Sequence, residues 1–534
     1  MSTKHQVLRG SLVVGFFSLL GNLTGILVEM TIAAKLGLSR SSDTFYAAFT
    51  VPYIITTLLT ATGQFSLVPF FTRLESTDSA GTLNPPAQGP MGEELWKGFS
   101  YSINMFLLGL GILAALGAVA SPWVIRGIAP GFARSQTELA TQLGRWLFLV
   151  IIPAGMVEVF RSFLLSKHHF ALPSAAGFLR NITVIVVTLL GFGRYGSYSM
   201  VLGYMAGYLL QLLALGAQIL VSFRPRYSFT LAPSGEAFRN LRGAGGAQLG
   251  GALGFQGVVI IERVIASFLP PGTLTALNYG FKILGTLAEL LGGSVGTAAL
   301  PGLSRAAARH AVEEGRKTLQ HTLEISLILL SPPTVFCLML DRNIMQLVFQ
   351  RGNFTPEATA LMTTVFFYYS LSLVPFSFTR LLAFALFARH ELGPFLRLSA
   401  FQYILTVGFD LFYVGVLRLG AKAIPLGLLT ALVLASALAI QRNLADLRRT
   451  MDRAFKLFAA RNLLAGSLAA VAVWGLGHWL RPPHTGLQNF VFLCVVCGAG
   501  SAMYLAALAA LRALPVATIS ELWPRAGDSA GSER

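Results

Sequence analysis

The chain has 534 residues, of which 54% are hydrophobic and only 12% charged, with a mean hydropathy of +0.65. A water-soluble globular chain carries about 25% charged residues, so this composition excludes a body surrounded by water and implies one surrounded by lipid. The net charge of +17 would point to nucleic acid in a soluble protein; in a membrane protein, inner loops rich in Lys and Arg explain it without nucleic acid.

A bilayer-spanning helix needs about 20 mainly apolar residues. By that rule there are about fourteen candidate runs, centred on 10–36, 45–71, 98–122, 138–164, 170–192, 198–222, 245–268, 274–300, 319–340, 357–387, 394–416, 423–441, 458–480 and 487–511. The first is too long for a secretory leader and lacks an A-x-A exit, so it reads as a span. Residues 74–96, with Pro85, Pro86 and Pro90, read as a flexible loop. The Gly-rich stretch 243–254 has no G-K-[ST] and is no phosphate loop; small residues there let helices approach or bend. The tail from Pro515 is polar and reads as disordered. Cys337, Cys494 and Cys497 all lie in apolar runs. The C-x-x-C of the last two has no His or carboxylate nearby and reads as packing rather than metal or redox chemistry.

Basic residues decide orientation. With the N-terminus inside, twenty Lys and Arg fall in inner loops, among them Lys4, Arg9, Arg224, Arg226, Arg448 and Arg449, against nine in outer loops. That bias predicts both termini in the cytoplasm.

The chain also repeats itself. Pro69 and Arg73 form P-x-x-[ST]-R, and Pro301 and Arg305 form it again 232 residues later; at that offset Phe49 falls on Phe281. Pro153 and Lys167-His168 recur as Pro375 and Arg389-His390, each 222 residues on. Ordered coincidences over two spans imply two lobes in parallel repeat, related by an axis along the membrane normal. The expected fold is an all-α polytopic membrane protein in two pseudo-symmetric lobes around a central cavity. Its expected organisation is an N-terminal lobe over 1–225, a second lobe over 226–444, two further helices over 445–514, and the tail 515–534.

Charges within spans cost several kcal/mol and face a cavity or a partner. Glu29 lies mid-span in GILVEMTIAA, Lys282 in ALNYGFKILG, Glu289 in GTLAELLGG and Arg380 in FSFTRLLAF. Asp43, after Ser41-Ser42, reads equally as an N-cap of the second span and as a substrate contact. Glu262-Arg263 reads as local charge compensation or as part of a transport path. Lys282 has no acid at i±3 or i±4, which favours a cavity-facing cation able to hold a phosphate as a point charge. Thr406 and Asp410, at i and i+4, place two oxygen ligands on one face, for a hard cation or as a polar pair between helices. No Ser/His/Asp set, metal cluster or carboxylate pair stands in a loop, so an enzyme is not expected.

The segments SSDTFYAAFTVPYII, ERVIASFLPPGTLTALNYGFKI, ALPGLSRAAA and LVFQRGNFTPEATALMTTVFFYYSLSLVPFSFTRLLAFALFARHE resemble the MurJ (MviN) lipid II flippase family, within the wider group of multidrug, oligosaccharidyl-lipid and polysaccharide exporters. The box Phe349-Gln350-Arg351-Gly352-x-Phe354-Thr355 and the run from Ala266 are its most specific parts. The resemblance implies fourteen helices and alternating-access transfer of undecaprenyl-pyrophosphate-linked disaccharide-pentapeptide to the outer leaflet, without a bound cofactor and driven by membrane potential or by Na+ or H+. It implies Lys282, Asp43 and Arg263 as substrate contacts, beside Glu29 and Arg380 read from their places within spans, and Glu262, Thr406 and Asp410 as a sodium site. Where family members carry first-span arginines this chain has Asn22 and Val28, and Thr56-Thr57 replaces one in the second; Asn22 then joins the substrate contacts. The expected partners are the lipid-linked sugar and membrane lipids, with the chain a monomer. The alternatives are a flippase for another polyprenyl-linked glycan, a cation-coupled multidrug exporter favoured by Glu29 and Asp43, or a membrane glycan polymerase, disfavoured by short outer loops.

Overall fold

The computed structural model describes residues 3–80, 93–231, 256–309, 311–389, 392–442, 452–480 and 486–513. The expected tail, the Gly-rich stretch and most of the expected loop at 74–96 lie outside them. The described residues are helical and contain no strand. Twelve of their helices are long and apolar enough to cross a membrane, and a bent pair makes a thirteenth, close to the fourteen expected. Of the expected span 245–268, only the helix 256–266 lies in the described residues.

The chain divides into two compact units, Met1–Tyr279 with Arg351–Ala358, and Gly280–Gln350 with Thr359–Arg534. The first contains α1 (Thr3–Leu36), α2 (Arg40–Thr62), a π-helical turn (Gly63–Leu67), α3 (Val68–Ala80), α4 (Glu93–Ile128), α5 (Arg134–Ser166), α6 (Ala171–Tyr195), α7 (Tyr198–Phe223), α8 (256–266) and the start of α9 (Thr273–Leu287). Within it α2 and α4 pack on α5, α1 packs on α6, and α6 packs on α7. With lipid outside, nothing apolar is gained by hiding Leu from water, so close fit must hold the helices. Gly117 receives the ring of Phe148 and Gly155 the side chain of Leu110; a methyl at either would collide. At one end Phe71, Trp96, Phe99 and Phe163 build an aromatic core, with Phe163 within 4.6–5.6 Å of the other three rings.

The Gly352-Asn353 part of the most specific box has a local job. Helix α1 ends at Gly37, which takes φ +65, leaving terminal carbonyls without intrahelical donors. Asn353 supplies them: its backbone N–H donates to Ala34 O (2.8 Å) and its Nδ2 to Lys35 O (2.7 Å). Gly352, at φ +59, sits so close to the Ala34 carbonyl that a side chain could not be fitted.

The second unit follows with a π-helical turn (Ala288–Gly293), α10 (Ser294–Ala308), α11 (Val312–Met339), α12 (Asp341–Phe349), α13 (Pro356–Leu371), α14 (Leu373–Ala388), α15 (Leu392–Leu411), α16 (Ala423–Arg442), α17 (Arg453–Trp479) and α18 (Gly486–Ala510). Leu303, Leu319, Leu323, Leu381 and Leu382 form its core between α10, α11 and α14. The final hairpin α17–α18 is tied to α11 by polar groups: Asn462 Nδ2 donates to Ser331 Oγ (2.7 Å), and Tyr504 OH donates to Asn462. The expected single run 357–387 is instead two helices bent by 42°. Pro375, in the first turn of α14, has no N–H to return to the Leu371 carbonyl, and its ring crowds that turn.

The repeat has a local structural counterpart. Both α2–α3 and α9–α10 are long spans interrupted by a π-helical turn ahead of the repeated proline, Pro69 or Pro301. Each turn also brings a glycine against a neighbouring helix, Gly63 against Ser162 and Glu158, Gly292 against Ser377.

Candidate functional site

In the first unit Asp43 is buried, and its carboxylate is fully engaged. Oδ2 accepts from Gly272 N (2.6 Å), and Oδ1 from Thr275 N (2.8 Å) and Thr275 Oγ1 (2.7 Å). Asp43 therefore caps the N-terminus of α9, where backbone donors lack intrahelical acceptors. It does not cap its own helix, as one of the two readings had it. Ser39 does that, accepting from Ser42 N (3.3 Å) while Ser42 Oγ accepts from Ser39 N (2.9 Å). Asp43 and Thr275 stand 232 residues apart, the repeat offset, so equivalent places in the repeat bond to each other.

One turn along α2, Tyr46 OH donates to Glu29, which is buried on α1. Tyr46 also meets the ring of Tyr279 edge-on at 5.6 Å, and Phe49 meets Tyr204 at 4.8 Å. A carboxylate at bilayer depth thus sits behind a wall of rings. Asn22, two turns earlier on α1, is partly exposed. Arg263 points its guanidinium along α9, donating to Leu274 O (3.2 Å) and Asn278 Oδ1 (2.7 Å). Glu262 beside it is partly exposed.

Two charged groups on α5 and α6 escaped the reading of the sequence. Glu158 accepts from Thr60 Oγ1 (3.0 Å) and lies 3.5 Å from Arg161. Arg180 donates to Asn181 and to Tyr208 OH (3.2 Å). Both lie in apolar runs, AGMVEVFRSF and GFLRNITVIVV, so the test that found Glu29 would have found them too.

In the second unit Lys282 is partly exposed on α9. Seven residues on, Glu289 pairs with Arg380 of α14, two groups read separately from the sequence. Both side chains are nearly half exposed, 46% and 39%, so the pair holds geometry more than it adds stability. Glu289→Arg or Arg380→Glu alone is expected to lower transport several-fold, with the double exchange recovering most of it, read from outer-leaflet substrate at matched protein level. A double exchange no better than either single change would mean the pair is incidental. Thr406 and Asp410 are both buried on α15. Thr406 Oγ1 donates back to Gln402 O (2.9 Å), and Asp410 lies against Gly427 of α16, where no side chain would fit beside its carboxylate. Among the described residues no group of three His, Cys, Asp or Glu could hold a metal.

A family profile described as "Lipid II flippase MurJ" matches residues 32–495. The chain belongs to the lipid II flippase MurJ family. Curated relatives in that family include a "Probable lipid II flippase MurJ" of Buchnera aphidicola subsp. Acyrthosiphon pisum (strain APS), 25% identical over 75% of this chain and 77% of its own. Another, of Helicobacter pylori (strain ATCC 700392 / 26695), is 26% identical over 67% of this chain and 78% of its own. The fold is similar to a solved structure titled "Lipid II flippase MurJ, inward closed conformation", with a TM-score of 0.72 at 18% identity over 94% of this chain and 100% of that one. An inward-facing multidrug resistance MATE family transporter follows at TM-score 0.67 and 14% identity, over 83% and 98%. The MurJ family membership and the helical, multi-span body agree with the resemblance read from the sequence.

Proposed function

We propose that this chain moves lipid II, the undecaprenyl-pyrophosphate-linked peptidoglycan precursor, from the inner to the outer leaflet of the bacterial cytoplasmic membrane. The observation that carries the reading is the family match over residues 32–495, on spans that hold Glu29, Arg180 and Lys282 in apolar runs. A headgroup of sugars and phosphates cannot cross hydrocarbon unaided, whereas its polyprenyl tail can remain in lipid. The protein then needs only a polar path for the headgroup, and no bond is made or broken. It acts as a transporter and not an enzyme, as a monomer, with both termini cytoplasmic and no nucleic-acid partner.

In this reading Lys282 holds a phosphate as a point charge. Asn22, Glu29, Arg263 and Arg380 contribute to the polar path, and Asp43 organises the start of α9 beside it. Na+ at Glu262, Thr406 and Asp410, or H+ instead, couples the cycle. The wall of rings around Glu29 also suits the second reading, a cation-coupled exporter of organic cations.

The deciding experiment depletes the host's lipid II flippase, expresses this chain and assays lipid II on the outer leaflet. Restored growth with restored exposure supports lipid II as cargo. No restoration, with the protein verified in the membrane, removes lipid II and leaves another polyprenyl-linked glycan or the exporter reading. A gain in resistance to cationic dyes would select the exporter.

A further inference from the structure

The guanidinium of Arg180 is built into the first unit with care. Its stem passes over Gly207 of α7, where a methyl would sit 2.9 Å from Cγ and 3.0 Å from the Arg180 carbonyl. One edge is taken by Asn181 Oδ1, which accepts from Nε (3.4 Å) and Nη2 (3.2 Å). Nη1 donates to Tyr208 OH (3.2 Å), and the group lies 5.1 Å from the centre of that ring. Asn181 is itself buried and turned by α1, its Nδ2 donating to Gly21 O (3.0 Å) and Thr24 Oγ1 (3.2 Å). The group is therefore oriented from three helices by neutral partners.

A guanidinium carries five N–H donors. These contacts use one hydrogen of each terminal nitrogen and leave one on each for an oxyanion. Among the described residues no carboxylate lies within ion-pair distance of Arg180; Glu158, the acid that acts on it from farther off, is paired with Arg161. A full positive charge among spanning helices is expensive and rarely retained without a partner. The residue is partly exposed. Asn181 bonds α1 at Gly21 and Thr24, the two sides of Asn22. The cation thus stands on α6 at the level where α1 carries only a neutral amide.

We propose that Arg180 is an oxyanion-binding residue, gripping a phosphate or pyrophosphate with its two terminal nitrogens. It deepens the proposed function by assigning the pyrophosphate of the polyprenyl cargo to this group, and it rests on that reading for the identity of the cargo. A helix-to-helix tie is the competing account.

The test uses the full chain in nanodiscs of zwitterionic lipid and compares binding of undecaprenyl pyrophosphate with that of undecaprenol. The wild type should prefer the pyrophosphate at least tenfold. Arg180→Gln should cut that preference several-fold, leaving what Lys282 supplies, and Arg180→Lys should keep only part of it, because a point charge lacks the two-pronged grip. A folded Arg180→Gln variant that retains the full preference overturns the proposal. If that variant does not fold, Arg180→His serves. Its preference should be larger at pH 5.5 than at pH 8, because imidazole loses its charge between them at about pH 6.5, while the wild type changes little. A preference in Arg180→His that ignores pH also overturns the proposal. Inorganic pyrophosphate at millimolar level separates the sources: displacement of the lipid assigns the site to the anion itself, and no displacement assigns it to the lipid-borne anion. A chain that fails to restore lipid II exposure yet keeps an Arg180-dependent preference loses its cargo and keeps this site. Restored exposure with the preference intact in Arg180→Gln does the reverse.

Discussion

Asp43→Ala is expected to destabilise the protein by at least about 3 kcal/mol, as three buried donors lose their acceptor at about 1–3 kcal/mol each. Those donors are Gly272 N, Thr275 N and Thr275 Oγ1, all held by one carboxylate. Thr275→Val removes a single hydroxyl donor and should cost about 1 kcal/mol. The measurement is the melting temperature in detergent, with membrane level as a second readout. Thermal stability equal to the wild type for Asp43→Ala would show that the carboxylate does not hold α9. If that variant were stable and yet inactive in transport, Asp43 would return to the substrate side, where the resemblance to the family first put it.

Lys282→Ala is expected to show the opposite pattern: outer-leaflet lipid II falls to background while the melting temperature and membrane level stay near those of the wild type. A Lys on a spanning helix costs about 2.5–3.5 kcal/mol to insert, so removing it should not weaken the fold. In transport, its loss removes one of the counter-charges of the pyrophosphate, and each 1.4 kcal/mol forgone is a factor of about ten. Lys282→Arg keeps the charge and should retain part of the activity. Normal lipid II exposure from Lys282→Ala at normal protein level would take Lys282 out of the path.

The contrast between these variants follows from burial: Asp43 is buried among backbone donors, and Lys282 is partly exposed. Asp43 and Lys282 looked alike as sequence features, single charges beside or within apolar runs. The carboxylate proved to be committed to backbone amides some 230 residues away, a bond that no local pattern encodes. The N-cap reading of Asp43 was right in chemistry and wrong in address, because Ser39 and Ser42 already close the box on α2. Arg263 does more than compensate its neighbour Glu262: its guanidinium also reaches Leu274 and Asn278 on α9. Glu158 and Arg180 were legible by the same rule as Glu29, since each interrupts an apolar run.

Composition and periodicity by themselves determined the class: a chain with so little charge can only be covered by lipid, and in lipid every backbone group must be satisfied within its own segment, which leaves helices. Segment length set the number of spans, and repeated prolines marked the repeat. The motif order carried the family. Partners were another matter. Whether a buried charge meets a carboxylate, a backbone amide, a tyrosine or nothing depends on which faces of which helices come together, and in membranes that is settled by steric fit at small residues such as Gly63, Gly155 and Gly207. That fit decided that Glu289 belongs to Arg380, that Glu29 belongs to Tyr46, and that Arg180 is held by Asn181 and Tyr208. The bend was written in the sequence as Pro375, while its angle of 42° is read only from the structure.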